Sequence, residues 1–284
     1  MNFIGADSTF EDARTVIFGA PYDSTTSFRP GTRFGPAAMR SESFGIETYS
    51  MYQDKDLADV RVHDVGDLEL PFGAPDRALE MIEDESGRIL DAGKIPFLLG
   101  GEHLVTLGSV RAAFKRYPDL CIVHFDAHAD LREDYLGVKL SHACVMRRCH
   151  DLVGDGRIWQ FGIRSGTREE RQFMRDGHVA TQLFSSTMLP DAVKTIGPEV
   201  PVYLTVDLDV IDPSEFPGTG TQEAGGLAFR QLLGDLFHVL KNLNVVALDN
   251  VELSPPLDNT GRSTALACKL LREEILALNL KGTC

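Results

Sequence analysis

Three short runs hold most of the residues that could do chemistry. The segment Cys121-Ile122-Val123-His124-Phe125-Asp126-Ala127-His128-Ala129-Asp130 is an apolar run that ends in Asp126, His128 and Asp130. Ligand-type residues spaced by two point to one side of an extended chain, so these three converge, and His124 shares their parity. The run Val202-Tyr203-Leu204-Thr205-Val206-Asp207-Leu208-Asp209 repeats the arrangement with two carboxylates. Unpaired carboxylates held this close and out of water are costly unless a cation neutralises them. A third run, Pro96-Phe97-Leu98-Leu99-Gly100-Gly101-Glu102-His103, ends an apolar stretch with two glycines that permit a tight turn before the histidine.

Each piece alone has an ordinary structural reading, as a helix cap or solvated turn for Asp-X-Asp and a structural histidine after Gly-Gly. Together they read as a metal centre, because ligands of open α/β sheets gather at the carboxyl ends of strands. The set His103, Asp126, His128, Asp130, Asp207 and Asp209 holds four carboxylates, two imidazoles and no thiolate. Such donors suit a borderline-hard cation such as Mn²⁺ better than a structural zinc site. Four negative charges match two divalent ions, and a binuclear site would also acidify the water it holds.

The elements that must position these residues follow from periodicity. Short runs rich in Val, Ile and Phe predict strands near 15–20, 61–66, 96–99, 120–125, 157–163, 178–183, 202–207 and 244–251. Helical periodicity predicts helices near 75–92, 103–116, 142–150, 168–176, 187–196, 227–241 and 263–279. The alternation is that of a mostly parallel sheet with helices on both faces. No linker or internal repeat divides the chain, so one domain over residues 1–284 is expected. Two long connections rich in Gly and Pro, Arg29 to Pro36 and Asp212 to Gly226, are expected to border the site.

Composition narrows the function class. A hydrophobic fraction of 43% with 25% charged residues predicts an ordinary packed core. The formal net charge of -14 repels phosphate backbones and anionic lipid surfaces, so neither nucleic acid nor membrane is an expected partner, while a cationic small molecule is mildly favoured. Five scattered cysteines without a CxxC pair read as reduced thiols of a cytoplasmic protein. Residues Met1 to Val16 carry Asp7, Glu11 and Asp12 and lack the basic start and apolar run of a signal peptide. No stretch approaches the roughly 20 apolar residues of a membrane span.

Taken with Gly19-Ala20-Pro21-Tyr22-Asp23, the Arg-Pro-Gly loop and Pro217-Gly218-Thr219-Gly220-Thr221, these runs resemble the ureohydrolase family of arginases, agmatinases and formimidoylglutamases, and its bacterial agmatinases most of all. The resemblance covers nearly the whole chain. It implies an arginase-like three-layer α/β/α fold with a mostly parallel eight-stranded sheet and two Mn²⁺ per chain. By that resemblance one ion is held by His103, Asp126, Asp130 and Asp207, and the other by Asp126, His128, Asp207 and Asp209, so that Asp126 and Asp207 bridge. It makes His124 a core histidine, His142 the proton-shuttling histidine and Glu252 the carboxylate that holds the guanidinium group. It also implies a homo-oligomer, a trimer or hexamer. Three departures stand out: Thr205 where Ser is usual, Ala129 where Thr is common, and Ala143-Cys144-Val145 where small hydroxyl residues and Pro are common.

The expected reaction is cleavage of the guanidinium group of agmatine to putrescine and urea. Guanidinobutyrate, arginine and formimidoylglutamate are the alternative substrates within the family. A deacetylase of related fold would use one zinc and typically shows a His-His pair, which is absent; an inactive scaffold relative would have lost ligands that are present here. The loop Leu131 to Ser141 is without the arrangement of Asn- and Ser-type donors with which arginases meet an α-carboxylate and α-ammonium, and resembles the agmatinase version instead. Glu133 or Asp134 is a candidate for holding a distal amine, with solvated loop charges as the other reading of both.

Overall fold

The computed structural model describes residues 1–279. Its strands are β1 (Thr15–Ala20), β2 (Tyr49–Ser50), β3 (Lys55–Asp56), β4 (Val62–Asp67), β5 (Ile95–Gly100), β6 (Cys121–Phe125), β7 (Ile158–Ile163), β8 (Ala180–Leu183), β9 (Pro201–Asp207) and β10 (Asn244–Val251). The helices are α1 (Gly35–Glu42), α2 (Pro75–Asp91), α3 (Thr106–Arg116), α4 (Val145–Val153), α5 (Arg168–Arg175), α6 (Leu189–Ile196), α7 (Phe229–Asn242) and α8 (Arg262–Asn279). Eight strands form one sheet in the order β4-β1-β5-β10-β9-β6-β7-β8. Every pairing in it is parallel, and β2 and β3 form a separate antiparallel pair.

A parallel sheet is covered on both faces, which is why its strands read as continuous apolar runs. In β9, Val202, Leu204 and Val206 enter one core while Tyr203 enters the other. Helices α1, α6, α7 and α8 cover the first face and α2 to α5 the second, giving the three-layer fold expected.

Helix α1 and the β2-β3 pair were not foreseen. The apolar stripe of α1 is broken by Arg40, a buried residue whose guanidinium binds Asp64 on β4 at 2.8 and 2.9 Å. A charged residue at a core position hides the helical period. The helices expected from 103 and 142 each begin with a 3-10 turn, His103–Val105 and His142–Cys144, before the α-helical part. Cys121, Cys144, Cys149 and Cys268 are free thiols, whereas Cys284 lies outside the described residues. Among the described residues no helix is long and apolar enough to cross a membrane.

The four central strands β5, β10, β9 and β6 are neighbours and run the same way, so the residues that follow them emerge side by side. The join at β5 is tight: Gly101 N–H donates to Ala20 O at 2.9 Å and Glu102 N–H to Tyr22 O at 2.7 Å. A Cβ on Gly101 would lie 1.9 Å from Tyr22 O and 2.7 Å from Tyr22 N, main-chain atoms that cannot swing aside. Gly101→Ala is therefore expected to destabilise the protein by at least about 1–3 kcal/mol, the usual cost of overpacking. Chemical denaturation measures it, and an unchanged midpoint would contradict this account.

Candidate metal centre and active site

His103 follows β5, Asp126, His128 and Asp130 follow β6, Asp207 and Asp209 lie at the end of β9, and Glu252 follows β10. All seven meet at one end of the sheet. His103 Nδ1 lies 3.1 Å from Asp126 Oδ2, 3.3 Å from Asp130 Oδ2 and 3.3 Å from Asp207 Oδ2, yet makes no hydrogen bond. Its other nitrogen explains the arrangement. Nε2 is 3.1 Å from Thr205 Oγ1, and the Thr205 hydroxyl donates to Asp249 Oδ1 at 2.6 Å, while Tyr203 donates to Asp249 Oδ2. With its proton committed to Asp249, Thr205 must accept from His103 Nε2–H, so the neutral imidazole carries its lone pair on Nδ1, facing three carboxylate oxygens. Against burial, Asp126, Asp130 and Asp207 raise His103 well above its ordinary value, a demand for positive charge that a cation there would meet. Four acceptors without a donor fit a metal cation.

A second group sits beside the first. His128 Nδ1 is 3.0 Å from Asp209 Oδ2 and 3.6 Å from Asp126 Oδ1. Asp126 thus presents Oδ2 to one histidine and Oδ1 to the other. Asp207 presents Oδ2 to His103 while its Oδ1 accepts Asp209 N–H at 2.8 Å, and Asp209 Oδ1 accepts Ala127 N–H. Asp126, His128 and Asp209 are grouped closely enough to hold an ion, as are His103, His124 and Asp126.

His124 nevertheless has both nitrogens engaged. Gln160 Nε2 donates to His124 Nδ1 at 3.0 Å and to Ala129 O at 2.8 Å, while Gln160 Oε1 accepts from Thr181. These bonds fix the amide orientation, so His124 carries its proton on Nε2 and donates it to Asp126 Oδ2 at 2.8 Å. His124 orients Asp126, and the parity left open by the sequence is resolved in favour of a core histidine.

The electrostatics ask for positive charge. Burial, followed by the field of Asp126, pushes Asp130 up to about 7. Burial and then Asp209 raise Asp207 as well. Burial pushes Glu252 up to about 8, with Glu102 and Asp209 adding to it against the His103 N–H that Glu252 accepts at 2.7 Å. Asp130 (φ 53°) and Glu252 (φ 66°) also occupy the left-handed region, a strained conformation for residues with a Cβ that concentrates at functional sites.

Beside these groups opens a cavity of about 320 Å³, whose walls include His128, His142, Asp209, Glu223 and Glu252. His142 is held from behind. Its N–H donates to Thr25 Oγ1 at 3.1 Å, and Thr25 donates through both N–H and hydroxyl to the buried Glu102. Burial pulls the His142 imidazole down to about 4. Of the departures, Ala129 and Ala143 both line the cavity, Ala143 accepting Arg132 N–H, whereas Cys144 is buried away from it.

Three supporting residues escaped sequence reasoning. Arg164 donates to the carbonyls of Gly162, Asp209, Val210 and Glu223, binding the 208–223 loop to the end of β7. No side-chain pattern marks it, because its partners are main-chain oxygens up to 59 residues away. Glu102 was legible only as part of a motif, and Glu223 only as part of a loop. The loop acids behave as solvated charges: Glu133 pairs with Lys139, Arg147 and Arg148, and Asp134 accepts Gly137 N–H. Neither lines the cavity, so the distal-amine role considered for them is not supported.

The profile described as Arginase family matches residues 13–277. The chain belongs to the arginase family. It is thereby a ureohydrolase, an enzyme that acts on guanidino compounds, as the motifs implied. The agmatinase of Bacillus anthracis is 45% identical over 278 residues, spanning 96% of this ureohydrolase and 95% of that relative. The agmatinase of Bacillus subtilis strain 168 is 42% identical over the same shares. Among solved structures, the agmatine ureohydrolase of Thermoplasma volcanium is 35% identical, covers 98% of this chain and 94% of its own, and superposes with a TM-score of 0.89.

Burial makes His142 neutral at physiological pH. In the metal-free ureohydrolase its imidazole resonances are expected to titrate near pH 4, with no change between pH 8 and 6. A midpoint near 6.5 in an NMR titration would show an ordinary solvated histidine.

Proposed function

We propose that this ureohydrolase is a binuclear manganese enzyme that hydrolyses agmatine to putrescine and urea. The carrying observation is the bare His103 Nδ1 facing three carboxylate oxygens, with Asp126 turned to both histidines. His103, Asp126, Asp130 and Asp207 would hold one ion, and Asp126, His128, Asp207 and Asp209 the other. When bound, a pair of Mn²⁺ supplies an acidified water near neutral pH and electrostatic stabilisation of developing negative charge.

Glu252 performs the recognition, accepting hydrogen bonds from the planar guanidinium and meeting its charge. The cation relieves the crowding of Glu252 by Glu102 and Asp209 and so keeps its carboxylate ionised. His142, neutral at rest, accepts a proton from the attacking water. The imidazolium so formed is a strong acid because burial disfavours it, and it passes the proton to the departing nitrogen. The C–N bond to the diamine breaks, the water oxygen stays on carbon, and urea and putrescine leave.

Support for agmatine comes from the agmatinases among the relatives and from Glu223 on the cavity wall, a carboxylate suited to a distal amine. A second reading, guanidinobutyrate, is favoured by Arg132 on the same wall, which could meet an acidic tail. The reading includes one domain over residues 1–284, a cytoplasmic location and a homo-oligomer, trimeric or hexameric.

Elemental analysis is expected to find two Mn²⁺ per chain, and Asp126→Asn or Asp207→Asn to abolish turnover, since each would touch both ions. A single zinc at full activity would refute the binuclear assignment. With urea release as the assay, agmatine is expected to exceed arginine in kcat/KM by at least about 10²-fold, the order of discrimination available from one mismatched polar group. A preference for guanidinobutyrate would select the second reading.

A further inference from the structure

Away from the active site, His150, Asp155 and His178 form a compact cluster. His150 lies in the last turn of α4, Asp155 in the turn from α4 to β7, and His178 in the turn from α5 to β8. These turns precede their strands, so the cluster sits at the end of the sheet opposite the cavity. His150 Nε2 and His178 Nδ1 lie 2.7 and 2.8 Å from the same oxygen, Asp155 Oδ1. One nitrogen from each ring and a carboxylate oxygen all lie within 4.8 Å of one another.

We infer that His150, Asp155 and His178 form a mononuclear site for a zinc-class divalent ion, separate from the manganese centre. Two imidazoles and one carboxylate, with a solvent-facing fourth position, match the preferences of zinc rather than those of calcium or magnesium. The rings are already oriented: Phe173 stacks on His178 at 4.3 Å and meets His150 edge-on at 4.9 Å. Gly156 N–H donates to His178 O at 3.2 Å, tying the two turns together. Gly154 (φ 81°) and Gly156 (φ 73°) supply the left-handed corners between which Asp155 projects. Asp155 is 65% exposed, which leaves room for a water as fourth ligand. An ion here would pin the far end of α4, the helix that begins after the His142 turn.

The test titrates manganese-loaded protein with Zn²⁺ and locates bound zinc by anomalous diffraction at the zinc edge. One zinc is expected between His150, Asp155 and His178, with a zinc-dependent rise in Tm. His150→Ala and His178→Ala are expected to weaken that binding by at least about tenfold and to abolish the zinc-dependent rise in Tm, while leaving manganese content and turnover unchanged. Zinc found only at the active-site carboxylates, or bound equally well by both variants, would reduce the cluster to a hydrogen-bonded surface network.

Discussion

Four carboxylates buried side by side are the constraint around which this molecule is arranged. In water they would drift apart, and in an apolar interior they would protonate or repel. They stay together because Asp126, Asp130, Asp207 and Asp209 follow two adjacent strands of a parallel sheet whose ends cannot separate without breaking its ladder. His103, from a third strand end, turns its bare nitrogen into their midst.

That arrangement is held by a layer of hydrogen bonds reaching down between the strands. Gln160 sets His124, which sets Asp126; Asp249 takes the Thr205 proton, which fixes the tautomer of His103. Gln160 reaches His124 from β7 to its neighbour β6, and Thr205 reaches Asp249 from β9 to its neighbour β10, so the register of the sheet is what places the donors. A hydroxyl at 205 is required for this relay, and Thr205 supplies it.

Chemistry is divided between the two ends of the sheet. At the carboxyl ends, carboxylates dominate and hard cations and a guanidinium fit. At the amino ends of β7 and β8, two imidazoles and a single carboxylate form a softer donor set. The α4 helix spans the two regions, with the His142 turn at its start and His150 in its last turn.

Much of this was legible in the sequence because strand ends carry short-range signals. Alternation in Val123-His124-Phe125-Asp126 and Val206-Asp207-Leu208-Asp209 tells which residues share a side, and apolar runs without alternation announce a sheet covered on both faces. The eight main strands and seven of the helices follow from those local patterns. Tertiary structure alone decided whatever depends on a partner distant in the chain. The tautomer of His103 rests on residues 102 and 146 positions away, the exclusion of His124 as a ligand on Gln160, and the support of the 208–223 loop on Arg164. Helix α1 was hidden because Arg40 finds its counter-charge on β4, and the cluster at His150 was invisible because its members come from two turns brought together only by the pairing of β7 with β8. Periodicity records which side a residue faces; only the folded chain determines what it meets there.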